Sequence, residues 1–423
     1  MYQPAGNCLI GQSGGPTSVI NASLCGVIKQ ALNTNMIHRI YGAVNGIEGI
    51  LERKIFDFCT QLKTRKDLDL LKTTPAAYLG SCRYKLPAID ADTHAYKELF
   101  DIFREYNIRY FFYIGGNDSM DTVMKLSTYA EKISFPIRII GIPKTIDNDL
   151  VGTDHTPGFG SAAKYIAATV LEVTRDSYVY DLNSVTIIEV MGRNAGWLTA
   201  SSALARCEYN NSPDLIYLPE LPFSVEQFIR DIRTVQKHKK NVIVAVSEGI
   251  KNECGKYICE AVNDTKTDMF GHATLGGTGK SLEHIVKANF QAKVRSVELS
   301  VLQRCAMHMA SKTDLDEAYN IGKEAVNTAV KGLTGRMMIF NRSTAPEYKI
   351  SIDSVDVRQI ANAEKKIPRE WINEQGNDVM PQLIKYMKPL IQGQPDLVMR
   401  DGLPIFLTLD TTTFLPNKTA NAV

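Results

Sequence analysis

Residues 137–150 read Ile-Arg-Ile-Ile-Gly-Ile-Pro-Lys-Thr-Ile-Asp-Asn-Asp-Leu, and the change of character at Pro143 decides the fold. The mostly apolar run Ile137 to Ile142 has the β-branched composition of a buried strand. It delivers directly into a short loop holding Lys144, Asp147 and Asp149. Open α/β sheets place their chemistry on loops at the carboxyl ends of such strands. This loop offers a carboxylate base and a cation together.

The same pattern recurs outward from that stretch. Cys8 to Gly11 leads into Gln12-Ser13-Gly14-Gly15-Pro16-Thr17, and Tyr110 to Ile114 into Gly115-Gly116-Asn117-Asp118-Ser119. Helices are predicted to begin near Ser18, Ser119 and Gly160. Further on, Val185 to Val190 ends in Met191-Gly192-Arg193, Leu215 to Leu218 in Pro219-Glu220, and Val242 to Val246 in Ser247-Glu248-Gly249. Short β-branched runs, each closed by a polar or glycine turn and followed by a helical pattern, are how parallel strands alternating with helices appear in sequence. Two such series predict an α/β fold of two Rossmann-like lobes, with mainly parallel sheets, helices on both faces and a cleft between strand ends. Ile405 to Leu409 reads as one more strand, while the stretch after Ser343 is rich in turn residues.

Composition sets the outer bounds. A chain of 423 residues, 44% hydrophobic and 22% charged, suits two lobes of a soluble globular protein. A net charge of +2 gives no case for nucleic acid. No apolar run reaches the roughly 18 residues of a membrane span, and nothing near Met1 resembles a cleavable leader. The eight cysteines are scattered without metal or redox spacing, which reads as reduced thiols in the cytoplasm.

Glycine pairs after strands let backbone amides approach an anion, and a following helix adds its positive end. Gly14-Gly15 and Gly115-Gly116 are therefore candidate phosphate loops, although tight turns use the same residues. Asn117 and Asp118 add oxygens suited to Mg²⁺, which shares itself between a carboxylate and substrate phosphates. Phosphoryl transfer needs an acceptor hydroxyl deprotonated in line and the transferring charge neutralised. Asp147 suits the first task and Lys144 the second, with Asp149 free to hold Asp147 or to reach the metal through water. An Asx turn would explain an isolated Asp-Asn-Asp; the adjacent lysine and the two glycine loops favour chemistry. Gly276-Gly277-Thr278-Gly279-Lys280-Ser281 ends like a P-loop but lacks glycine at Thr274, and His272 and His308 lack ligand spacing.

Taken in order, Gly115 to Ser119, Pro143 to Asp149, Gly158-Phe159-Gly160 and Glu189-Val190-Met191-Gly192-Arg193 resemble the successive signatures of the phosphofructokinase family. The likeness runs from Gly11 to about Leu333 and is weaker after Ser343. It implies a glycolytic phosphotransferase with Asp147 as the base for the 1-hydroxyl of fructose 6-phosphate. Thr145, Ile146, Asp147, Asp149, Met191, Gly192, Arg193 and Glu248 would bind the sugar, and Arg304, in Val301-Leu302-Gln303-Arg304, its 6-phosphate. The resemblance also implies that Arg295 serves a neighbouring subunit, that Arg83 lies between the transferred phosphoryl and the acceptor, and that Gly14 belongs to the donor loop. It implies residues 1–155, completed by about 305–340, as a donor-phosphate lobe, 156–304 as a sugar-phosphate lobe, and 341–423 as an extension packing on both.

The donor turns on two positions, because ATP-using members carry glycine where Asp118 and Lys144 stand. Asp118 would intrude on a nucleotide, whereas Lys144 can neutralise the phosphate leaving from pyrophosphate. That pair, with Gly14 to Thr17 and Phe270 to Gly277, resembles the pyrophosphate-dependent branch. An ATP-dependent kinase and a catalytically silent subunit are the alternatives. Three positions depart from the pattern: Asn117 stands at a usual metal aspartate, Ser184 at a second cross-subunit arginine, and Val301 at a sugar-site histidine. The implied partners are diphosphate, fructose 6-phosphate and Mg²⁺, in a homodimer or homotetramer.

Overall fold

A computed structural model describes residues 4–261, 277–361 and 363–415. Two sheets organise them. The first has seven strands in the order β11-β10-β5-β4-β1-β2-β3. These are β1 (Gly6–Gln12), β2 (Ile37–Ala43), β3 (Ile55–Asp57), β4 (Ile108–Gly115), β5 (Arg138–Pro143), β10 (Arg336–Arg342) and β11 (Ile350–Asp356). The five inner strands run parallel, and the edge strands β3 and β11 antiparallel. The second sheet, β7-β8-β6-β9, is wholly parallel: β6 (Ser184–Val190), β7 (Leu215–Tyr217), β8 (Asn241–Ser247) and β9 (Lys293–Glu298).

The six strands that the sequence predicts before the candidate loops, β1, β4, β5, β6, β7 and β8, form where expected. Phe111, Phe112 and Ile114 on β4, and Val242, Ile243 and Val244 on β8, are fully buried, because helices cover both faces and leave no wet side for an alternating pattern. Register sets the strand ends level: Gln12 lies beside Ile114 and Gly115 beside Pro143. In the first sheet the chain turns to β2 on one side of β1 and to β4 on the other, so the crevice of a topological switch opens above β1 and β4. In the second sheet β6 plays that part, with Val190 level with Ser247 and Glu189 with Glu298.

Two helices close the first lobe from distant parts of the chain. Ile20–Ala31 crosses Lys312–Val330 at a contact where a Cβ on Gly26 would stand 2.0 Å from the Tyr319 carbonyl oxygen, and one on Gly322 2.1 Å from that of Ser23. Only glycine allows backbones this close. The second of these helices also reaches across to the other lobe. Asp314 accepts from the backbone amides of Gly158 and Ser161, both at 2.9 Å, and so caps the helix Phe159–Ser177.

The C-terminal stretch departs from expectation in two ways. β11, placed by sequence in an extension, is an antiparallel edge strand of the first sheet, with Ile350 and Ile352 packed on one core and Val355 on the other. Ile405 to Leu409 forms no strand: its recorded backbone bonds run from Ile405 to the Val398 carbonyl and from Leu407 to the Thr74 hydroxyl, while Leu407 and Leu409 pack on the core. Just before it, Leu403–Pro404 pairs antiparallel with Met399–Arg400 in a short ladder that Ile405 extends by one bond. Among the described residues no helix is long and apolar enough to cross a membrane.

Candidate active site

One side of the site is built from the ends of β1 and β5 and from the segment around Ser81 to Arg83. Gly14 adopts φ +76°, a left-handed conformation that turns the chain after β1, and Ser81 donates to its carbonyl oxygen at 2.6 Å. The Gly14 amide donates to the Cys82 carbonyl at 3.4 Å, so Arg83, which is exposed, follows a residue tied to the glycine loop. Lys144 reaches into this loop from the end of β5. Its ammonium donates to the Gly15 carbonyl at 2.5 Å and would stand 3.2 Å from a Cβ on Gly14. Only 2% exposed, it has its pKa lowered to about 8: burial disfavours the charge, Asp147 and Asp149 favour it, and Arg304 opposes it.

Asp147 stands three residues on, half-buried, with its backbone amide bonded to the Thr145 hydroxyl at 3.1 Å. Burial raises its pKa, while Lys144, Arg193, Arg304 and the Thr145 hydroxyl pull it back. Asp147 thus faces cations from both lobes: Lys144 just after β5, Arg193 from the end of β6, and Arg304 from the segment after β9. Glu248, at the end of β8, accepts from the Gly192 amide at 3.3 Å, and its pKa is raised to about 7 by burial and by Asp147 and Glu189. Met191 and Gly192 line the same strand end. The Nε atoms of Arg193 and Arg304 are buried without a hydrogen-bond partner among the described residues.

Asn117 and Asp149 form a second constellation at the start of the helix Asn117–Lys132. Asn117 Nδ2 donates to Asp149 Oδ2 at 3.3 Å, leaving Asn117 Oδ1 and Asp149 Oδ1 buried and unbonded among the described residues. Asp118 is exposed, as expected one residue, or roughly 100°, further round the helix. Burial and the nearby Asp147 raise the pKa of Asp149 to about 7. No group of three or more His, Cys, Asp or Glu side chains suited to a metal occurs among the described residues.

Other expected residues lie elsewhere. Arg295, midway along β9, pairs with Asp176 at 2.5 Å and donates to the hydroxyls of Ser177 and Thr186 at 3.2 and 3.3 Å. Those partners sit toward the start of β6, away from Arg193. Val301 is 51% exposed. Phe270 to Gly276, including His272, falls outside the described residues. The helix Thr278–Asn289 that follows the P-loop-like sequence has its start occupied from within. Gly279 donates to the buried Glu189 carboxylate at 2.7 Å, and Thr278 to the Glu248 carbonyl at 2.9 Å.

Sequence reading missed four residues beside this site. Glu189 signalled itself as a lone charge inside an apolar strand. Asn148 is fully buried at φ +53°, held by Lys365 and Tyr386 from the C-terminal stretch. The latter two carry no motif. Seven of the eight cysteines, Cys8, Cys25, Cys59, Cys82, Cys207, Cys254 and Cys305, are thiols outside any disulfide.

The chain resembles known proteins along nearly its whole length. The chain is 39% identical to a pyrophosphate–fructose 6-phosphate 1-phosphotransferase of Halomonas elongata, over 94% of each chain. It is 38% identical to the Methylococcus capsulatus protein of the same name, over 98% of each. A crystal structure of a pyrophosphate-dependent phosphofructokinase from Nitrosospira multiformis superposes with a TM-score of 0.88, at 36% identity and over 98% of both chains. The Phosphofructokinase family description matches residues 7–298, which span all four strands of the second sheet and the Asp147 loop. The chain belongs to the phosphofructokinase family.

Proposed function

We propose that this enzyme transfers a phosphoryl group reversibly between pyrophosphate and the 1-hydroxyl of fructose 6-phosphate, yielding fructose 1,6-bisphosphate and phosphate. Asp147 takes the hydroxyl proton, the sugar oxygen forms a bond to phosphorus, and the bond to the departing phosphate breaks. Lys144 neutralises charge on that phosphate, and Arg83 lies beside the transferring group. Gly14 and its neighbours present the donor site. Thr145, Ile146, Met191, Gly192, Arg193, Glu248, Val301 and Arg304 surround the sugar phosphate. Arginine forks recognise phosphate bidentately, and carboxylates accept from sugar hydroxyls.

One observation carries the donor assignment. The Lys144 ammonium is packed into the Gly14–Gly15 loop, at a position where the family resemblance implies glycine in ATP users. A cation there suits a short inorganic donor and narrows the space for a nucleotide. Asp118, exposed at the first turn of its helix, fits the same reading as a negative charge set against an α-phosphate.

For Mg²⁺, the unbonded oxygens of Asn117 and Asp149 supply a hard-donor pair beside the base, and this pair suits the ion better than Asn117 with Asp118. Bound there, the ion would share the charge of the transferring phosphates. The proposed assembly is a homodimer or homotetramer in which Arg295 completes a neighbour's sugar site, and the proposed location is the cytoplasm. The division into 1–155 with about 305–340 for the donor and 156–304 for the sugar belongs to this reading; β11 adds 350–356 to the first lobe. Measuring fructose 1,6-bisphosphate formation with pyrophosphate or ATP as sole donor tests the proposal. Turnover with ATP alone would overturn it.

A further inference from the structure

The residue between the two aspartates of the central loop is held by the far end of the chain. Asn148 is fully buried and adopts φ +53°, a conformation that costs a non-glycine residue energy unless its surroundings enforce it. Its amide is gripped at both ends. Lys365 Nζ donates to Asn148 Oδ1 at 3.1 Å, and Asn148 Nδ2 donates to the Tyr386 hydroxyl at 3.0 Å. Lys365 spends its other two N–H bonds on the Thr153 and Asp154 carbonyls, at 3.2 and 2.8 Å, and Tyr386 donates to the same Asp154 carbonyl at 2.6 Å. The Lys365 backbone amide completes the clamp by donating to the Asp149 carbonyl at 2.7 Å. The clamp is anchored in turn, since Trp197 Nε1 donates to the Lys365 carbonyl at 2.9 Å.

This geometry fixes more than a loop's stability. The peptide planes flanking Asn148 set the directions of the Asp147 and Asp149 side chains, and a left-handed residue between them points the two carboxylates to different tasks. We infer that Lys365 and Tyr386 are positioning residues for phosphoryl transfer, acting through Asn148 to hold the base and the metal-facing carboxylate in register. Neither residue touches substrate in this account. The inference rests on the reaction proposed above, and it assigns the C-terminal stretch a part in turnover.

The test is a double-mutant cycle on the full-length chain, with pyrophosphate and fructose 6-phosphate as substrates. Lys365→Met keeps length and removes the donors; Asn148→Gly keeps the left-handed backbone free of strain and removes the gripped amide. Lys365→Met should lower kcat by about tenfold to a hundredfold, with KM for fructose 6-phosphate moving less than about threefold. In the double variant the two losses should fall well short of multiplying, because once Asn148 is gone the loss of Lys365 removes no further grip on it. A kcat for Lys365→Met within about twofold of the parent, or losses that multiply, would overturn the inference. If Lys365→Met does not fold, Tyr386→Phe removes one hydroxyl only, and a kcat unchanged within about twofold would have the same force. A parent inactive with pyrophosphate overturns the proposed reaction and this inference with it; an active parent matched by Lys365→Met overturns the inference alone.

Discussion

Replacing Lys144 with methionine removes one positive charge from the donor loop while keeping most of the side-chain volume. The ammonium lies 2.5 Å from the Gly15 carbonyl oxygen and is 2% exposed, so water screens it little. A phosphate held at the Gly14–Gly15 loop would lie roughly 4 Å from it, where two unit charges interact by about 4 kcal/mol at an effective dielectric near 20. Only the part of that energy that grows as the phosphate departs lowers the barrier, so kcat should fall by about a hundredfold to a thousandfold. The sugar half of the site is untouched, and KM for fructose 6-phosphate should change by less than about threefold. Initial rates of fructose 1,6-bisphosphate formation at saturating pyrophosphate measure both. A variant with kcat within about threefold of the parent would refute the role, since a charge that close to a departing phosphate cannot be idle.

The same lysine should set an alkaline limb. Its pKa near 8 in the free protein means that its charge is lost as pH rises through that value, so kcat/KM for pyrophosphate should decline above about pH 8 in the parent and show no such limb in Lys144→Met. Asp147→Asn should nearly abolish turnover while leaving the melting temperature close to the parent's, as measured by calorimetry; normal activity would remove Asp147 as the base. Asp149→Asn should weaken Mg²⁺ binding by about tenfold in direct titration with the metal and pyrophosphate, whereas Asp118→Asn should change it far less. Equal effects of the two would argue against the Asn117–Asp149 pair.

The catalytic half of this account was legible because each chemical residue follows an apolar run at a strand end. Lys144, Asp147, Arg193 and Glu248 all lie within four residues of a strand's close, and strand ends are read from local composition. Electrostatic neighbours from opposite lobes then meet because the two parallel sheets present their carboxyl ends to one crevice. What escaped notice depends on contacts between distant segments. Asp314 caps a helix that begins at Phe159, and Lys365 lies in Glu364-Lys365-Lys366, a turn-rich charged stretch with no periodicity. Nothing local marks either residue. β11 is a different case: Ile350 and Ile352 alternate with Ser351 and Asp353, a short edge-strand pattern visible in the sequence but masked by the turns around it. Ile405 to Leu409 shows the converse, a strand-like composition left without a ladder. Asn117 and Asp149 lie 32 positions apart, and only the fold reveals that their free oxygens share one buried corner.

The donor remains the claim on which the rest stands, and one assay addresses it most directly. Purified full-length protein is supplied with Mg²⁺, fructose 6-phosphate and either pyrophosphate or ATP as the sole phosphoryl donor, and fructose 1,6-bisphosphate is measured. The account predicts turnover with pyrophosphate and at least about a hundredfold less with ATP, because Lys144 and Asp118 favour the short donor and oppose the nucleotide. Turnover with ATP alone would contradict it.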